Sequence, residues 1–220
     1  MDLPALSLLE TRVLGVLIEK QHTVPDSYPL TLNALVSGCN QKTSRDPVLD
    51  ATEAEISSAI DRLKALDLVM ESSGGRVMRY AQNLARVLAV PSQSVALLTI
   101  IMLRGPQTVG ELRIHTDRLH RFADISSVEG FLRELAARPA GALVVELPRL
   151  PGARETRWAH LLSGAPDPTR MQVPMGAEGE LVTVSEIAAL KANFTQLQHE
   201  QADLRALVER LARELGIAPT

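Results

Sequence analysis

Between positions 91 and 165 the chain carries nine basic side chains, and every one is arginine. Arg113, Arg118 and Arg121 cluster with His115 and His120, and Arg133 follows. Arg149, Arg154 and Arg157 form a second group. A guanidinium donates in a rigid fork that matches phosphate oxygens, so this spacing is suited to phosphate or groove contact with duplex DNA. The simpler alternative is a solvated surface in which Glu111, Glu129, Glu134 and Glu155 pair with these arginines.

A second unusual stretch is Asn40-Gln41-Lys42-Thr43-Ser44-Arg45-Asp46. Its amide, hydroxyl, ammonium and guanidinium donors, Lys42 and Arg45 above all, suit phosphates or base edges. The competing expectation is a self-satisfied loop, with Asn40 and Asp46 capping turns and Arg45 paired to Asp46 or Asp50. Cys39 beside it has no partner base at a recognisable spacing and reads as a small buried residue rather than a nucleophile.

Other chemistry finds little support. His115 and His120 are five apart, which does not stack them on one helical face, and no zinc-type Cys/His spacing occurs, so no metal is expected. Phosphate-loop, dinucleotide and nucleophile-elbow signatures are missing, and no cofactor is expected. Glu19 with Lys20, and Glu53 with Glu55, read as solvated or dipole-compensating helix positions. The expectation is a non-enzymatic protein.

Composition sets the class. The 220 residues are 45% hydrophobic and 22% charged, which builds a core and excludes wholesale disorder. The apolar run over 95–103 is about half the roughly 20 residues of a membrane helix. Asp2, Glu10 and Arg12 leave the N-terminus without a basic leader, and the single cysteine suits a reducing compartment, so a cytoplasmic protein without membrane contact is expected. The formal net charge of −3 is divided unevenly, at −2 over 1–90, +2 over 91–165 and −3 over 166–220.

The elements that must position these residues repeat. Ser7 with Glu10 forms a capping box for a helix over 7–20 whose apolar face is Leu9, Val13, Val16 and Leu17. A short helix over 30–36 follows, ending near Gly38. Thr52 with Glu55 boxes a third, buried through Ile56, Ala59, Ile60, Leu63 and Leu66. Residues 68–71, 72–75 and 76–80 then read as strand, turn and strand, with Arg76 at the hairpin a further candidate DNA contact. The second half repeats the order. A helix over 94–103 stops at Arg104-Gly105-Pro106. Thr108 with Glu111 boxes a helix through His115, and Ser126 with Glu129 boxes another. Strands over 143–147 and 156–159 flank a longer connection. Three helices and a hairpin, twice, is the plan of tandem winged helix-turn-helix domains, over 1–90 and 91–165, in an α+β chain that is mainly α. The third helix of the first domain would present Glu53, Ser57, Ser58, Asp61, Arg62 and Lys64, and its carboxylates disfavour a phosphate groove there.

Residues 166–180 read as a linker, and a helix over 181–217 follows. Ile187, Leu190, Phe194, Leu197, Gln201, Leu204, Val208, Leu211 and Leu215 alternate at spacings of three and four. That is the a/d seam of a coiled coil, with Gln201 its one polar a position. Glu186 with Lys191 and Glu200 with Arg205 are opposite in sign across g and e, as a parallel homodimer requires. Leu207 at a g position widens the apolar face, and packing within one chain remains the alternative.

The stretch from Glu10 to Lys20, the run Thr23-Val-Pro-Asp-Ser-Tyr-Pro-Leu-Thr-Leu-Asn-Ala-Leu35 and the run Cys39-Asn-Gln-Lys-Thr-Ser-Arg-Asp-Pro-Val48 resemble the YceH family of bacterial proteins of uncharacterised function. The resemblance extends over both helical units and the C-terminal helix. It implies a tandem winged-helix fold and supplies no reaction, cofactor or catalytic residue. The leading expectation is a dimeric regulator that binds duplex DNA, chiefly through the second unit. The alternative is a scaffold for protein partners, and a third class is a ligand sensor using the 40–46 loop.

Overall fold

Ser7 opens the first helix, α1 (Leu8–Thr23), through the predicted capping box: its hydroxyl accepts from the Glu10 amide at 3.2 Å, and the Glu10 carboxylate accepts from the Ser7 amide at 2.7 Å. The computed structural model describes residues 4–73, 77–149 and 152–166. The linker, the C-terminal helix with its heptad seam, and Arg76 lie outside them.

The described residues form an α+β fold of helices with two small antiparallel sheets. After α1 come α2 (Leu32–Cys39) and α3 (Glu53–Ala65), the latter opened by the Thr52–Glu55 capping box. Strand β1 (Leu30–Thr31) precedes α2, while β2 (Val69–Ser72) and β3 (Arg79–Gln82) form the hairpin. These three make one sheet in the order β1-β3-β2, with Leu30 opposite Tyr80 and Val69 opposite Gln82. A five-residue helix, α4 (Leu84–Leu88), leads into α5 (Ser92–Arg104), which Gly105 ends at φ +71°. Then come α6 (Val109–His115), α7 (Ile125–Ala136) and a second sheet of β4 (Val144–Glu146) and β5 (Trp158–His160), with Val144 opposite His160.

Three local expectations need correction. Leu30 and Thr31 belong to a strand rather than to the second helix, because Thr31 is that helix's N-cap, its hydroxyl accepting from the Ala34 amide at 3.3 Å. Asp124, not Ser126, caps α7: one carboxylate oxygen accepts from the Ser127 amide at 2.7 Å and from the hydroxyls of Ser126 and Ser127. The shorter, charged acceptor takes the cap and draws both serines into the first turn. The hairpin strands start one residue or more later than read, and α4 was not anticipated.

Helix α1 is buried on more than one side. Val13, Val16 and Leu17 face the core as read, but Leu14 and Ile18 are also at 0% exposure. A helix that buries apolar residues on more than one side needs a partner on each of them. Helices α2 and α3 cover one side and α5 the other. The core therefore runs without a break from the first helical unit into the second. Gly15 permits this approach, since a Cβ there would lie 2.8 Å from Leu103 Cδ2. Gly38 does the same for α1 and α2, where a Cβ would meet Val16 Cγ1 at 2.6 Å. Val16 is branched at Cβ and fully buried, so it has no other rotamer to retreat to. Gly38→Ala is expected to destabilise by about 1–3 kcal/mol, the usual cost of overpacking, seen as a lower urea midpoint with unchanged slope. No described helix is long and apolar enough to cross a membrane.

Candidate nucleic-acid interface

The arginines of the second half divide into free and committed groups. On α6 and the turn after it, Arg113, Arg118 and Arg121 are exposed. Arg113 donates to the Ala123 carbonyl at 3.2 Å, Arg121 meets Asp117 at 3.1 Å, and Arg118 has no carboxylate within ion-pair distance among the described residues. On α7, Arg133 pairs with Glu129 one turn earlier at 2.8 Å. The Arg121 and Arg133 pairs are so open to solvent that each is worth under about 1 kcal/mol, and a phosphate can displace them.

The connection between β4 and β5 carries Arg149 and Arg154, both exposed and joined only by a 3.4 Å hydrogen bond from Arg149 to the Arg154 carbonyl. They border an open groove of about 530 Å³ lined also by Glu155 and Thr156 of the same connection, Val109 and Gly110 of α6, and Ile125 and Glu129 of α7. Capping sets this arrangement: Thr108 starts α6 and Asp124 starts α7, so both helices begin at the groove. Arg157 differs. Its two terminal nitrogens each donate to the Glu111 carboxylate at 2.9 Å, and one also reaches the Pro106 carbonyl. It ties the sheet to α6 and is held back from a ligand.

In the first half, Lys42 is exposed but Arg45 is not. The Arg45 side chain is wholly buried, forms a two-pronged pair with Glu19 at 2.6 and 3.2 Å, and donates to the Gly38 and Ser44 carbonyls and to Gln41. Arg45 is therefore withdrawn as a phosphate ligand. Its partner is Glu19, not Asp46 or Asp50, and Glu19 is not a solvated helix position. The 40–50 loop is internally satisfied elsewhere too, since Asn40 exchanges hydrogen bonds of 2.8 Å with both backbone groups of Ala51. Burial pushes the Cys39 thiol up to about 12, which leaves it protonated and unreactive.

Two members of this buried set were not read from the sequence. Arg12, at 0% exposure, donates to the carbonyls of Cys39 and Pro47, and its Nε has no partner. In the sequence it stands directly before the apolar stretch 13–18 of α1. Arg104 donates to the Ser44 hydroxyl at 2.7 Å and lies 3.4 Å from His115 Nε2. Burial opposes the charge of Glu19, but the hydrogen bonds and charge of Arg45 outweigh it and hold its carboxyl below the usual range.

The outer face of α3 presents Glu53, Glu55 and Asp61. Arg62 is turned onto Glu10 at 3.1 Å, and Lys64 pairs with Asp61 and Glu71. That face is acidic, as the sequence indicates. Among the described residues no group of His, Cys, Asp and Glu is placed to hold a metal ion.

Residues 6–153 match the family model described as a protein of unknown function, DUF480. The chain is 59% identical to a UPF0502 protein of Dechloromonas aromatica, over 96% of this chain and 98% of that one. It is 62% identical to a UPF0502 protein of Methylibium petroleiphilum, over 98% and 92%. It is 60% identical to one of Burkholderia pseudomallei, over 96% and 90%. The earlier likeness in residues 10–48 thus extends along nearly the whole length, and the chain belongs to the DUF480 family, the YceH or UPF0502 proteins.

Proposed function

We propose that this protein is a non-enzymatic, duplex-DNA-binding regulator made of two winged helix-turn-helix units, with the second unit making the principal contact. The observation that carries the reading is the exposed pair Arg149 and Arg154, set across a groove from the first turn of α7. In this reading α7 enters the major groove, the β4–β5 connection lies on the backbone as a wing, and Arg113, Arg118, Arg121 and Arg133 extend the phosphate contact. The repeated order of helices and hairpin supports the winged-helix assignment. The seam over 187–215 supports a homodimer by its spacing alone.

The test is a salt series of binding to fragmented genomic DNA with the recovered fragments sequenced. Each phosphate contact contributes about 0.9 to the slope of log affinity against log salt, so Arg149→Ala with Arg154→Ala should flatten it by about 2. Arg157→Ala should leave the slope unchanged, because Glu111 already holds that guanidinium. Absence of binding at low salt, or an unaltered slope in the double variant, overturns the proposal.

A second reading, a scaffold for protein partners, is favoured by the first unit. Its acidic α3 face lies in the same unit as exposed Met70, Val77 and Met78 on the β2–β3 hairpin, a combination suited to a basic, partly apolar partner. Partner capture that survives in the Arg149 and Arg154 variants would support it.

A further inference from the structure

The 40–50 loop leaves the first unit after α2 and fastens onto the ends of two helices of the second. The Asp46 amide donates to the Leu103 carbonyl at 2.8 Å, closing the last turn of α5. Ser44 accepts from Arg104, the final residue of α5, and Arg104 in turn approaches Nε2 of His115, the final residue of α6. The other ring nitrogen, Nδ1, lies 2.8 Å from Gln107 Oε1. A carbonyl oxygen can only accept, so Nδ1 carries the proton and Nε2 is left as the acceptor for Arg104. Gln107 then exchanges backbone hydrogen bonds with Trp158 of β5. One neutral imidazole thus joins the loop of the first unit to α5, α6 and the sheet of the second.

We propose that His115 is a proton-operated latch: neutral, it holds Arg104 against the 40–50 loop, and protonated, it repels Arg104 and frees the loop from the second unit. Protonation removes the only acceptor that Nε2 offers and sets two cations 3.4 Å apart. The neighbourhood is already rich in positive charge. Arg45 faces Arg104 from the loop, and Arg12 lies behind Arg45 in α1. The opposing charges are Glu19 of α1, occupied by Arg45 and Lys20; Glu111 of α6, clamped by Arg157; and Asp46 of the loop. Burial first, and then the charge of Arg104, hold the His115 imidazole below its ordinary value, against a smaller opposing pull from Glu111. The neutral form is therefore the folded form near neutral pH, and the latch opens as pH falls through the lowered value. The device stands apart from DNA binding, because none of its groups is a proposed phosphate ligand.

Hydrogen–deuterium exchange on the full chain tests it, with protection of peptides covering 40–50 compared at about pH 7.5 and about pH 5 after correction for intrinsic rates. In the wild type, protection of the loop is expected to fall at least about tenfold on acidification, while the middle of α1 stays protected. His115→Gln keeps a side-chain acceptor that does not titrate, so its loop should remain protected at both values. Arg104→Gln removes the second cation, and its loop should lose the pH dependence even if it is less protected throughout. A wild-type loop that is indifferent to pH overturns the latch. So does an equal fall in both variants, which would place the response at Asp46 or another group.

Discussion

Arg45→Met is expected to cost about 3–5 kcal/mol of folding stability, the range for breaking a buried ion pair by removing one partner. The side chain it removes is fully buried, and it fills both oxygens of Glu19 while satisfying the Gly38 carbonyl at the end of α2 and the Ser44 carbonyl of the loop. Methionine fills much of the volume, so the loss is mainly the Glu19 carboxylate left largely buried with only Lys20 beside it. Glu19→Gln should cost less, because a neutral amide still accepts from the guanidinium. The double variant should recover part of the loss, since two buried charges then vanish together. Urea midpoints of the four proteins, taken as a double-mutant cycle, check this. A single Arg45→Met loss below about 1 kcal/mol would return Arg45 to the phosphate-ligand reading, one of the two that the sequence leaves open. The sign with pH follows from Glu19: its folded pKa is depressed, so the pair's contribution is complete above the ordinary carboxylate range and is lost as pH falls through the lowered value.

His160 should make the second half acid-labile over a different window. It lies in β5, its Nδ1 is buried without a partner, and burial lowers its pKa to about 4. The unfolded imidazole takes up its proton near pH 6.5, the folded one only near pH 4. Between those values the unfolded chain binds more protons, so stability falls as pH falls. The full depression corresponds to about 3 kcal/mol, complete above the unfolded value and exhausted below about pH 4. His160→Phe removes the titrating group and the orphaned nitrogen together. It should flatten the stability–pH curve over that range and leave stability at neutral pH equal or slightly higher. Chemical denaturation at a series of pH values decides it, and an unchanged slope in the variant would reject the assignment. This response belongs to global unfolding, whereas the His115 latch is read at the 40–50 loop, so the two are separable by probe.

The sequence by itself determined the local grammar. Capping boxes at Ser7, Thr52 and Thr108 require only residues three apart, and all three form as read. The order of helices and hairpins follows from apolar period and turn residues, which are also local. The acidic character of α3 and the exposure of Arg113 and Arg133 were legible because a charge on the polar side of an amphipathic helix stays in water, and that of Arg118, Arg121, Arg149 and Arg154 because turns and connections run over the surface.

Tertiary structure decided the fate of the remaining charges. Arg45 and Glu19 are 26 positions apart, and Arg157 and Glu111 are 46 apart. No periodicity links such pairs; the packing of the 40–50 loop onto α1 and the pairing of Trp158 with Gln107, just before α6, do. The same is true of Arg12, whose burial depends on α1 being covered from both sides, and of Gly15 and Gly38, whose missing side chains matter only because Leu103 and Val16 arrive opposite them. A donor-rich loop is open to both readings, ligand site or self-satisfied turn, until the carbonyls and carboxylate that consume its donors are brought to it. Burial and pairing with a distant carboxylate turned Arg45 from a candidate phosphate ligand into a fastening, and a two-pronged pair with Glu111 engages the half-exposed Arg157. That leaves Arg149 and Arg154, on the exposed connection between β4 and β5, as the second group's remaining candidates.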